Sequence, residues 1–82
     1  MWGKSNQGGT VIYELLLDET ACFEVYKTAG GDYAMVCFKH GVPCGGDPEY
    51  FNTLRDAKAT AERILASGNY ENYTLDAESP LL

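Results

Sequence analysis

ACFEVYKTAGGDYAMVCFKHGVPC, residues 21–44, decides the fold. Phe23 and Val25 alternate with Cys22, Glu24 and Tyr26, the period-two pattern of a strand with two different faces. Thr28-Ala29-Gly30-Gly31-Asp32 marks a turn, because glycine takes a positive φ without a Cβ clash. Tyr33 to Lys39 then forms a second run of strand length, so residues 21–39 read as a β-hairpin. Another turn follows at once. With His40-Gly41 as a two-residue loop, Lys39 faces Val42, Phe38 faces Pro43 and Cys37 faces Cys44. In that register 39–42 is a hydrogen-bonded pair and 38–43 is not. Pro43 then gives up no ladder bond, and its missing N–H suits an edge strand.

Upstream, Thr10 to Leu17 places Val11, Tyr13, Leu15 and Leu17 on one face and Ile12, Glu14 and Leu16 on the other. This run reads as a strand, separated from the hairpin by the polar turn Asp18-Glu19-Thr20. The Gly- and Asn-rich residues 1–9 are expected to form a flexible arm. Downstream, Asp47 to Asn52 reads as a loop. A helix follows, with Thr53 and Asp56 spaced as in a capping box. Leu54, Ala57, Ala61, Ile64 and Leu65 form its apolar stripe, and Gly68 stands at the left-handed C-cap position. The alanines in that stripe allow close approach to a sheet. Residues 69–75 can add a short strand with Tyr73 and Leu75 on one face, and 76–82 reads as a flexible acidic tail.

The expected fold is therefore α+β: an antiparallel sheet of three to four strands with one helix packed on one face, in the order β-β-β-β-α, within a single domain at 10–75. The helix covers one face of the sheet. The other must be tolerably polar or be covered by a partner.

Composition narrows the function. Twelve Asp and Glu against six Lys and Arg give a net charge of −6. That field repels phosphate backbones and anionic membranes, so no direct nucleic-acid or membrane binding is expected, and it favours encounter with a basic protein surface. No segment is apolar enough for a membrane span, and no apolar run follows a basic start as in a secretory signal. The three cysteines form no dense, even set of the kind found in disulfide scaffolds. A reducing cytoplasm is the expected setting.

The cysteines offer the chain's main prospect of chemistry. Cys22, Cys37, His40 and Cys44 have the composition of a Cys3His zinc site. The hairpin register argues against it, because it leaves His40 at the loop tip, three residue steps or about 10 Å along the chain from Cys37. The same register sets Cys37 opposite Cys44, within disulfide range. A cysteine nucleophile would need an adjacent base, and the lone histidine lies in a turn. No phosphate-cradling glycine loop is present either. No catalytic residue, metal or cofactor is therefore assigned. A zinc- or redox-linked cysteine domain is the lesser alternative.

In size, acidity and sheet-plus-helix order, the chain resembles the small anti-defence proteins of phages and mobile elements, anti-CRISPR proteins in particular. That resemblance implies a non-enzymatic inhibitor that occupies a basic nucleic-acid-binding surface of an effector complex in a bacterial cell. A second resemblance is local. Gly31-Asp32-Tyr33 leading a strand, then Thr53-Leu54 with Ala57 and Ala61 on a helix, is similar to the strand–helix segment of HicB-type antitoxins. His40-Gly41-Val42-Pro43 stands where that family carries a Pro-and-Gly loop. A small homodimeric module, pairing through the open face or the edge near Val42, is the remaining alternative. The expected partner-binding residues are Asp18, Glu19, Asp32, Asp47, Glu49 and Tyr50, acids and a tyrosine at loops on a sheet rim.

Overall fold

The computed structural model describes residues 2–68. The strand expected within 69–75 and the tail at 76–82 lie outside the described residues. The elements are β1 (Trp2–Gln7), β2 (Thr10–Leu16), β3 (Ala21–Lys27), β4 (Tyr33–Lys39), β5 (Val42–Phe51) and α1 (Leu54–Ser67). The strands form one antiparallel meander in the order β1-β2-β3-β4-β5. The class is α+β as expected, but the sheet has five strands rather than three or four.

The additional strand is β1, in the segment expected to be a flexible arm. Gly8 and Gly9 adopt φ of 61° and 88°. Two successive positive φ values are what a tight hairpin turn requires, and they bring Gln7 opposite Thr10. The Asn6 side chain accepts a hydrogen bond from the Gly9 N–H at 3.1 Å and braces the turn. Trp2 supplies the anchor at the far end, pairing with Leu15 and packing against the core.

The hairpin at residues 37–44 has the register derived above: Lys39 opposite Val42, Phe38 opposite Pro43 and Cys37 opposite Cys44. His40 and Gly41 both take positive φ, 54° and 77°. Beyond Cys44 the structure departs from expectation. Residues 47–51, expected as part of a loop, belong to β5. Met35 pairs with Glu49 while Cys37 pairs with Cys44, so Val36 alone faces the excursion of residues 45–48. This large bulge absorbs Gly46, at φ 82°, and Pro48, after which pairing resumes through Tyr50 and Phe51. Local turn chemistry suggests a loop here; tertiary pairing with β4 turns it back into a strand.

Strand alternation sorts the side chains. Leu15, Phe23, Val25, Met35, Cys37 and Cys44 point towards the helix and are buried. Phe23 and Val25 are fully inaccessible, each contributing about 1.5–3 kcal/mol of burial. The helix lies over β3, β4 and β5. Its Ala57 and Ala61 are fully buried and Ile64 nearly so, which gives the close seat implied by the alanine stripe. Thr53 caps its start, accepting the Asp56 N–H at 3.1 Å. Gly68, at φ 77°, ends it by donating its N–H to the Leu65 carbonyl. Long side chains extend this layer towards β1 and β2. Trp2 donates its indole N–H to the Glu62 carboxylate at 2.7 Å. The Lys58 ammonium lies 5.3 Å from the Trp2 ring and 4.6 Å from the Tyr13 ring.

Candidate functional site: the open face of the sheet

Among the described residues, no helix lies over the opposite face of the sheet. Register places its side chains in three rows running across the strands. One row is Ser5, Ile12, Tyr26, Ala34 and Tyr50. The next is Gly3, Glu14, Glu24 and Val36. The third is Leu16, Cys22, Phe38 and Pro43. Leu16 is 65% exposed and Tyr50 60% exposed. Tyr26, Val36 and Phe38 are half-buried by their neighbours. A shallow concavity of about 540 Å³ opens at one end, lined by Ile12, Glu24, Tyr26, Lys27 and Tyr50.

Glu14 and Glu24 sit directly opposite one another in the middle row. Cys22 is diagonal to Glu14 in the next row. One donor atom from each of the three lies within 4.8 Å of the other two. The Cys22 thiol thus lies beside the Glu14 carboxylate. Partial burial, then the Glu14 charge, raises the Glu24 carboxyl above its ordinary value. The same two causes, burial first, push the Cys22 thiol up to about 12. These groups are the one set among the described residues with donor atoms gathered as a metal would need. They supply three ligands, where a closed tetrahedral site needs four.

Like charges directly opposite on a sheet are unfavourable, and the chain does little to offset this pair. All six Lys and Arg residues lie in the described region. Lys4, Lys27 and Lys39 occupy strand positions of helix-facing parity, and Arg55, Lys58 and Arg63 are on the helix. By strand parity none of them belongs to the open-face rows, although Lys27, the last residue of β3, lines the concavity together with Glu24 and Tyr26. No family model, curated protein or solved structure matches this chain. Its geometry and charge are therefore what a functional reading must rest on.

The six expected partner-binding residues are spread over the molecule. Asp18 and Glu19 share the β2–β3 turn at one end of the sheet. Asp18 is committed to that turn, accepting from the Thr20 N–H at 2.8 Å, the Thr20 hydroxyl at 3.0 Å and the Ala21 N–H at 2.9 Å. The Thr20 backbone donor chiefly holds its carboxyl below the ordinary value. It also lies 3.8 Å from the ammonium of the buried Lys39. Asp32 is at the other end, accepting the Thr28 hydroxyl within the β3–β4 turn. Asp47 is in the β5 bulge, and Glu49 falls on the helix-facing side of β5. Tyr50 alone of the six lies on the open face.

Cys37 and Cys44 are buried on the other side of the sheet as free thiols, and Cys22 is free on the open face. Opposite faces of β3 and β4 thus separate Cys22 from the other two, and His40 is exposed in its turn. The Cys3His set suggested by spacing is not assembled. The Glu14–Glu24 pair was missed because it depends on the β2–β3 register. Alternation alone gives each residue's face; only the geometry of the Asp18-Glu19-Thr20 turn sets which of them meet.

Proposed function

We propose that this chain is a non-enzymatic binding protein that inhibits a basic partner by docking through the open face of its sheet. The observation that carries this reading is the face itself: apolar and aromatic rows that no described element covers, on either side of a carboxylate pair. Exposed apolar surface of this kind marks interaction sites, and tyrosine is enriched in them. The net charge of −6 steers the encounter towards positive surface. A basic nucleic-acid-binding channel of a CRISPR effector complex, the partner suggested by resemblance to anti-CRISPR proteins, is a surface of that chemistry, and occupying it would displace DNA. The setting this implies is the cytoplasm of a bacterial host.

Photo-crosslinking side chains at Val36 on the open face and at Ala59 on the exposed side of the helix test this reading. Each is incubated with purified effector complexes free of DNA. Cross-links from position 36 but not 59, competed away by target DNA, are expected. Equal cross-linking from both positions, or cross-linking that DNA leaves unchanged, would refute the mode of inhibition. No cross-link to any complex would remove the anti-defence reading.

A further inference from the structure

The open face also constrains what its partner must carry. Resting on the reading of that face as the docking surface, we infer that the partner seats one cationic side chain, a guanidinium by preference, between Glu14 and Glu24. Three observations converge on this. The carboxylates are cross-strand neighbours with oxygens within 4.8 Å. Charge-assisted hydrogen bonds of about 2.7–2.9 Å to each oxygen can be made from a single cationic group lying between them. Apolar rows flank the pair, so a docked partner would exclude water there and strengthen the attraction. Among the described residues no lysine or arginine belongs to these rows and none forms an ion pair with Glu14 or Glu24, which leaves the charge to be matched from outside. Guanidinium is preferred over ammonium because it is planar, less strongly hydrated, and able to stack on rings such as Tyr26 and Phe38 while its fork addresses both carboxylates.

This chemistry disfavours a second copy of the chain as the occupant. A symmetric face-to-face dimer would bring two Glu14–Glu24 pairs into one interface without a cation to separate them, and like charges juxtaposed across an interface cost several kcal/mol. The third possible occupant is a divalent metal on Glu14, Cys22 and Glu24.

The probe is the peptide acetyl-Phe-Arg-Phe-amide, with its citrulline counterpart as the uncharged isostere. Each is titrated into the 15N-labelled full chain. The expected result is amide shifts at residues 12–16, 22–26 and 36–38. Binding should weaken at least tenfold for the citrulline peptide, and likewise for the arginine peptide with the Glu14→Gln, Glu24→Gln double variant. Equal affinity of the two peptides at the open face would overturn the cation site while leaving the docking surface intact. Shifts confined to other surfaces, or none, would overturn the docking surface itself. Light scattering at low ionic strength should show a monomer; a dimer abolished by Phe38→Lys would overturn the inference in favour of self-association. Zinc chloride titrated alone should bind weakly. Stoichiometric binding at submicromolar concentration, lost in Cys22→Ser, would overturn it in favour of a metal.

Discussion

Replacing Glu24 by Gln should make this protein more stable. The substitution preserves shape and removes one of two like charges whose oxygens approach within 4.8 Å. At that separation the repulsion is about 0.9 kcal/mol in a water-like dielectric and about 3.5 kcal/mol at an effective dielectric of 20. Solvent reaches this face, so the lower figure governs, in line with cross-strand pairs that span roughly 0.2–1 kcal/mol. A gain of about 1 kcal/mol raises the melting temperature of a domain this size by about 4–8 °C. Two controls identify the cause. In 1 M NaCl the Debye length falls to about 3 Å, shorter than the charge separation, and the difference between variant and wild type should largely close. Acid should close it as well. Glu24 holds its proton more tightly folded than unfolded, because its folded value is raised above the ordinary 4.5. As pH falls from neutrality through that raised value, the folded state takes up the proton first and wild type gains stability relative to the variant, until both states are protonated below 4.5. Thermal melts by circular dichroism at several salt concentrations and pH values measure all of this. A variant less stable than wild type at pH 7, or a gain unchanged in 1 M salt, would refute the claim of unrelieved repulsion.

Three further outcomes follow from the core and its caps. Phe23→Ala, at a fully inaccessible position, should cost about 3–5 kcal/mol in chemical denaturation, a large part of the stability of so small a domain. Thr53→Ala removes the acceptor for the Asp56 N–H and should cost about 1 kcal/mol; Thr53→Ser should restore most of it. Iodoacetamide at pH 8 should leave Cys37 and Cys44 unmodified in the folded protein and modify Cys22 only slowly, whereas all three react in guanidinium. Burial raises the Cys37 thiol and also holds the Cys22 thiol at about 12, so mass spectrometry showing rapid native labelling of either would contradict the packing described.

What could be read from the sequence was whatever local chemistry determines. The 37–44 register follows from one two-residue turn and one proline, and the limits of α1 follow from Thr53, Gly68 and an alanine-spaced stripe. β1 was hidden because its strand is almost entirely polar: Gly3, Lys4, Ser5, Asn6 and Gln7 are all exposed, with no apolar alternation to detect. The available signal was Gly8-Gly9 ahead of a clear strand, with Trp2 as the far anchor. The second half of β5 was hidden for the opposite reason. Gly46 and Pro48 give strong local turn signals, but the chain uses them for a bulge and then rejoins β4. The candidate site combines the two cases. Ile12, Glu14, Leu16, Cys22, Glu24 and Tyr26 were assignable to faces by alternation, yet the meeting of Glu14 with Glu24 depends on a non-local register.

The sheet edges bear on how a partner can bind. An open edge invites strand addition only where outward N–H and C=O groups form an uninterrupted row. On β5 the position that points away from β4 beside the turn is Pro43, which has no N–H, and the bulge at 45–48 breaks the row again with Pro48. On β1 the exposed strand is short and polar and carries Lys4, a pattern that blunts pairing. Both edges thus oppose strand addition, while the face between them keeps Leu16, Phe38 and Tyr50 accessible around two carboxylates that repel one another. Folding alone gives no reason for that last arrangement, since a single Gln at position 24 would relieve it. A partner that supplies the missing positive charge does: the repulsion in the free protein would become attraction in the complex. The variant that melts highest should then be the one that binds worst, and measuring both quantities on Glu24→Gln joins the stability argument to the functional one.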